Sequence, residues 1–227
     1  SGVKALYYEI NGATYTAPSG HAEIILPVDG DYLFRYYAAD NVNNIGEEKS
    51  VTVRVDTTPP TTDIALAGTF GRNGWYISDV TGNLNWTDIL SGVKQTFYSL
   101  DGSTFAVYAS SFVISAEGMH TVEAYSTDNA GNIENAKTFT FKIDISTPIA
   151  GYALEPAANA YGWNNIPVAV AFTGMDAVSG IEYCSSSFTI ADEGLNIPVS
   201  GYCMDYAGWS STVSFTVNMD TSAPAVA

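Results

Sequence analysis

The chain repeats one hairpin three times. The stretches YAADNVNNIGEEKSVTVRVDTTP (37–59), YSTDNAGNIENAKTFTFKIDISTP (125–148) and YCMDYAGWSSTVSFTVNMDTSAP (202–224) share one order of parts. In each, an apolar–polar alternation runs into an Asp-led polar turn, resumes, and stops at an Asp followed by Pro. Other marks keep the same step of about ninety residues. Ser-Gly-Val recurs at Ser1 and Ser91 and becomes Ser-Gly-Ile at Ser179, while Gly-Trp recurs at Trp75 and Trp163. An acidic residue precedes Gly at Asp29, Glu117 and Glu193. Such a period makes the repeated unit one small domain.

Within each unit the local pattern is extended. HTVEAYST, YLFRYYAA, TFTFKI, SVTVRV and VSFTVNM alternate on a period of two, and Gly, Asn, Asp and Pro interrupt the runs at short intervals. No long helical period occurs. Short strands at that spacing predict an all-β fold of tandem immunoglobulin-like antiparallel β-sandwiches. The prolines end the last strand of each unit and stiffen the junction to the next. Four parts follow: 1–56, an incomplete repeat lacking its first strands; 57–144, a complete repeat; 145–220, a repeat shortened by a hairpin or an edge strand; and 221–227, the start of a further linker or repeat. The first part is completed by residues upstream of the given sequence, or by a strand from another chain.

The residues resemble the bacterial immunoglobulin-like repeats of cell-surface and secreted proteins. GWYISDVTGNLNWTDILSGV, YSLDG, EGMHTVEAYSTDNAGN and KIDISTP carry the likeness in the second repeat, and GWNNIPVAVAFTGMDAVSGIEYC carries it in the third. The resemblance implies an extracellular or cell-surface setting. It also implies service as a spacer, adhesin stalk, surface-layer component or hydrolase appendage. The third repeat departs from the pattern at DYAGWSS, where Trp209 replaces the usual Asn.

Composition narrows the function. Acidic residues outnumber basic ones 24 to 8, a net charge of −16, which disfavours nucleic acid and anionic membrane surfaces as partners. No apolar run approaches a membrane span, and the 85–87 glycosylation sequon carries little weight alone. Enzymatic machinery is missing from the pattern. His120 occupies the strand position of Tyr32 one repeat earlier, His21 lies in a polar stretch without a counterpart, and the acids recur with the fold instead of gathering once. The expectation is a non-catalytic structural array that extends or assembles a surface protein. Its partners are neighbouring repeats of the same longer chain, other copies of itself, or a surface glycan. The alternative is a recognition module that binds glycan or host protein through aromatic loops. Trp209 in DYAGW and Trp163 in YGWNN are its stacking candidates, although the recurrence of Trp75 and Trp163 in register also suits packing.

Two further expectations concern sites. In an immunoglobulin sandwich, the turn between the second and third strands, the turn between the last two, and the entering chain share one pole. Asp56, Asp88 and Asp128 therefore converge, as do Asp144, Asp176 and Asp205. Three carboxylates with turn carbonyls are ligands that Ca2+ accepts, whereas Asp at a turn start also caps its own backbone without any metal, as Asp40 does in the first repeat. Cys184 and Cys203 fall on neighbouring strands, so a cross-strand disulfide is geometrically open; two unpaired buried thiols are the other reading.

Overall fold

The alternation seen in the sequence becomes strand throughout. The computed structural model describes residues 2–225, so Ser1 and the last two residues of the expected 221–227 linker lie outside it. All its regular elements are strands, and every strand pair falls within one of three stretches of chain.

The first stretch holds β1 (Val3–Ile10), β2 (Ala13–Ala17), β3 (Gly30–Asp40) and β4 (Lys49–Val55) in one sheet of order β2-β1-β3-β4. Among the described residues no second sheet faces it. Leu6, Tyr8, Phe34, Tyr36, Val51 and Val53 line an open hollow on one face, touched only by Ala22 and Ile24 of the loop. Tyr36, Val51 and Val53 remain exposed there.

The second stretch is a two-sheet sandwich. Its strands are β5 (Thr61–Ala67), β6 (Trp75–Tyr76), β7 (Val80–Thr87), β8 (Val93–Leu100), β9 (Ala106–Val107), β10 (Phe112–Ile114), β11 (Gly118–Asp128) and β12 (Lys137–Ile143). One sheet has the order β10-β7-β5 and the other β6-β12-β11-β8-β9. On β11 every second residue from His120 to Asp128 is buried, the signature of a strand with one face on a core. That core takes Val80 and Ile114 from the first sheet and Tyr76, Val122, Phe141 and Ile143 from the second. Full burial of such aliphatic side chains stabilises by roughly 2 kcal/mol each. Pairing is antiparallel except for β6, which runs parallel to β12.

The third stretch repeats this plan with β13 (Ile149–Glu155), β14 (Val168–Met175), β15 (Ile181–Cys184), β16 (Phe188–Ile190), β17 (Gly194–Asp205) and β18 (Ser210–Met219). Its sheets, β13-β14-β16 and β15-β17-β18, close over Val168, Val170, Ile190, Val199, Val217 and Met219. The position of β6 is reduced to a single parallel bridge from Asn164 to Met219, and no described strand replaces β9. The fold class is thus all-β, of immunoglobulin-like sandwich type.

Cys184 on β15 faces Cys203 on β17 in register, with Cα atoms 4.0 Å apart, and the two form a disulfide. It joins neighbours within one sheet. Since 19 residues separate the two cysteines, the closed loop restrains the unfolded chain by about 3 kcal/mol. Replacing both cysteines by Ala is expected to lower the stability of the third sandwich by about that amount. Denaturant unfolding checks this, and a reductant should reproduce the loss in the wild type while leaving the variant unchanged.

Candidate functional site

Each turn Asp spends one carboxylate oxygen on its own backbone. Asp128 Oδ1 accepts the N–H groups of Gly131 (2.7 Å) and Asn132 (2.8 Å), and Asp205 Oδ1 accepts those of Gly208 (2.7 Å) and Trp209 (2.9 Å). Asp40 Oδ1 does the same for Val42 and Asn44. In the other turn Asp88 Oδ1 takes Leu90 and Gly92, and Asp176 Oδ1 takes Val178, Ser179 and Gly180. Gly92 and Gly180 close these turns at φ of 77° and 78°, where a side chain would be strained. The linker acids behave alike, with Asp56 Oδ1 on Thr58 N and Asp144 Oδ1 on Ser146 N.

The linkers are held by a second set of acids. Asp29 accepts from Thr57 and Thr58, Glu117 from Ile145, and Glu193 from Thr221 and Ser222. The Thr58 and Thr57 hydroxyls hold the Asp29 carboxyl below its usual pKa, and the Thr221 and Ser222 hydroxyls do so for Glu193. The recurrent acid-Gly pairs were visible in the sequence, but this role was not.

The expected triples meet. One carboxylate oxygen each from Asp56, Asp88 and Asp128 lie within 4.8 Å of one another, and the same is true of Asp144, Asp176 and Asp205. Their environments differ at two donors: Ser91 N serves Asp56 Oδ2 where Ser179 N serves Asp176 Oδ1, and Asn132 gives way to Trp209. In the first cluster the Asn132 amide donates one hydrogen to the Asp56 carbonyl (3.0 Å) and the other to Asp128 Oδ2 (2.8 Å), while Ser91 N donates to Asp56 Oδ2 (3.0 Å). In the second cluster Trp209 stands where Asn132 stood. Its indole N–H reaches the Asp144 carbonyl at 3.0 Å, and an indole has no second hydrogen to give. Asp144 Oδ2 and Asp205 Oδ2 are left buried without a hydrogen-bond partner.

The titration of the two turn acids diverges accordingly. Burial pushes Asp128 up, but the Asn132 side chain and the N–H groups of Asn132 and Gly131 outweigh it and hold the carboxyl below 3.8. Burial pushes Asp205 above 3.8 against the N–H groups of Trp209 and Gly208, and the charges of Asp144 and Asp176 add to the rise.

Beside the second cluster the two sandwiches touch. Arg72 N donates to Ala207 O (2.8 Å) and the Asn73 amide to Tyr206 O (3.0 Å). Arg72 Nη1 also lies 3.3 Å from Glu182 Oε2, as an ion pair without hydrogen-bond alignment. Gly71 packs so closely that a Cβ would sit 2.2 Å from Ala207 O. The motifs read from the sequence do not mark this contact. At the preceding junction an open cleft remains between Gly30, Asp31 and Arg54 on one side and Leu90, Ser91 and Asn129 on the other.

The aromatic candidates do not form one surface. Trp209 is half-buried with its N–H committed, and Trp163, also half-buried, lies beside Asn164 near the far end of β18. The ten residues of β18 hold them roughly 30 Å apart. Trp75 is buried under the Lys142 ammonium, 4.7 Å from the ring centre. His120 is buried, with its ring nitrogens on Asp101 Oδ2 (2.9 Å) and Ala116 O (2.8 Å), while His21 is exposed in a loop. No helix is long and apolar enough to cross a membrane.

No protein-family model and no curated protein matches the chain. Among solved structures it is similar to the fibronectin(III)-like modules of Clostridium thermocellum CbhA. That likeness has 13% identity and a TM-score of 0.34, and covers 62% of this chain and 78% of that one.

The opposed shifts fix the signs of a pH experiment in metal-free buffer. Asp128, with a lowered folded pKa, contributes stability above its unfolded value that is lost as pH falls through the folded one. Asp205, with a raised folded pKa, contributes stability below its unfolded value that is lost as pH rises through the folded one. Asp205→Asn should therefore gain on the wild type as pH rises from about 4 to about 7, and Asp128→Asn should lose ground over acidic values. Urea unfolding from about pH 2 to about pH 7 reads both, the Asp128 difference falling below about pH 4.

Proposed function

We propose that this chain is a length of a non-catalytic structural array, in which immunoglobulin-like repeats are joined at fixed junctions to extend or assemble a surface protein. The observation that carries this reading is the capture of each linker by the next sandwich. The Asp56 carbonyl is held by Asn132, the Asp144 carbonyl by Trp209, and the 71–73 loop caps the Tyr206–Ala207 turn. A freely swinging linker would have no use for such bonds, each worth about 1 kcal/mol. In the resembled bacterial family, modules of this kind serve as stalks, surface-layer parts and spacers. The Cys184–Cys203 disulfide suits an oxidising compartment, and the setting proposed is therefore extracellular or on the cell surface. Neighbouring repeats are the partners that this reading requires, and filament formation with other copies would extend it.

Residual dipolar couplings test the array. The second and third sandwiches are expected to share one alignment tensor, and separate tensors would remove the reading. Arg72→Glu, which sets a like charge beside Glu182, is expected to decouple the tensors while each sandwich keeps its own spectrum.

A further inference from the structure

We propose that the pole where Asp144, Asp176 and Asp205 meet is a divalent-cation site of Ca2+ type, which locks the third sandwich to the chain leaving the second. The site stands on its own geometry and does not require the array reading.

Two carboxylate oxygens at this pole are unpaired. Asp144 and Asp205 are fully buried, and in each Oδ1 serves the local turn while Oδ2 has no donor. Leaving a buried carboxylate unpaired costs several kcal/mol, so native structures supply a partner. The chain supplies one at the equivalent place in the preceding sandwich, where the second amide hydrogen of Asn132 reaches Asp128 Oδ2. Trp209 has already used its single N–H on the Asp144 carbonyl. The ion pairs of the described residues, Arg54–Asp31, Arg72–Glu182 and His120–Asp101, include none of these three acids. The charges acting on Asp205 are those of Asp144 and Asp176, and both are unfavourable.

Two species can relieve this. A proton on one carboxyl, shared with one neighbouring oxygen, removes one charge and leaves two charged acids in place. A cation satisfies all three at once. Two oxygens each about 2.4 Å from one ion stand no more than about 4.8 Å apart, and the three carboxylates already meet that limit. The cluster contains only oxygen ligands, which selects a hard ion over zinc or copper. Mg2+ keeps several waters and a strict octahedron, so a buried carboxylate pole suits the looser coordination of Ca2+ better. The Asp56, Asp88 and Asp128 cluster has no such orphaned oxygen among its described atoms and serves as the internal control.

The test uses the whole chain after dialysis against a chelator. Native mass spectrometry and calorimetry with Ca2+ or Mg2+ read binding, and thermal unfolding reads the linked stability. Wild type is expected to take up Ca2+ in preference to Mg2+ and to unfold at a higher temperature with it. Asp205→Asn keeps an acceptor for the Gly208 and Trp209 N–H groups, so its turn survives; it should lose this binding, as should Asp176→Asn at the half-buried position. Asp128→Asn should retain it. Trp209→Asn, which provides the missing amide hydrogen, should weaken it by about tenfold or more. Absence of Ca2+ uptake by the wild type at millimolar concentration would overturn the proposal in favour of a shared proton. Equal binding by the Asp205 and Asp176 variants would also overturn it.

Discussion

The turn between the last two strands of each stretch is closed by a single carboxylate oxygen, and the rest of the pole follows from what happens to the other. Oδ1 of Asp128 receives Gly131 and Asn132 N–H and Oδ1 of Asp205 receives Gly208 and Trp209 N–H at matching positions, while Oδ1 of Asp40 takes Val42 and Asn44. That bond fixes where the turn sits, and therefore which way Oδ2 faces. Because Asp88 and Asp176 are fixed by the same chemistry in the adjacent turn, and the linker acids enter at the same end, one carboxylate oxygen from each of three acids is brought together. Turn capping and acid clustering are thus two uses of one carboxyl group. The sequence posed them as competing explanations, but each carboxyl has two oxygens.

Position four of that turn then sets part of what the pole needs. Asn132 carries two amide hydrogens and divides them between the linker carbonyl and the turn acid. The pole of the second sandwich closes its hydrogen-bond account internally, and Asp128 stays easily ionised. Trp209 keeps the linker contact and loses the acid contact. The exchange leaves Asp205 Oδ2 without a donor. Asp144 Oδ2 in turn lacks the serine N–H that Asp56 Oδ2 receives, because Ser179 N serves Asp176.

Much of this was legible in the sequence, and for identifiable reasons. Period-two alternation with turn residues gave the sandwich class, and immunoglobulin topology places three loops at one end, which is why the two Asp triples were nameable before any coordinates. The pairing of Cys184 with Cys203 was open on the same ground, because β15 and β17 are sheet neighbours. Three things were not legible. The contact of Arg72 and Asn73 with the next sandwich is not marked by the motifs read from the sequence. The separation of Trp163 from Trp209 follows from the length and direction of β18, which motif proximity on paper conceals. The linker-holding role of Asp29, Glu117 and Glu193 depends on an acid reaching 28 residues ahead in sequence to Thr57, Ile145 and Thr221, a distance that local turn rules do not span.

The two junctions are consequently unequal in stiffness. Between the first and second stretches, the described contacts include the bonds to Asp56 from Ser91 and Asn132, and a cleft stays open beside them. Between the second and third, the indole bond to Asp144 is joined by the 71–73 loop, whose backbone and side chains close onto the very turn that Asp205 caps. Any movement of that loop is felt at Asp205, since Ala207 lies between Asp205 and the Gly208 and Trp209 N–H groups that its Oδ1 holds. The docking contact and the acidic pole therefore share the 205–209 turn, so under the proposed cation site, filling the orphaned oxygens would also stiffen the surface on which the 71–73 loop rests.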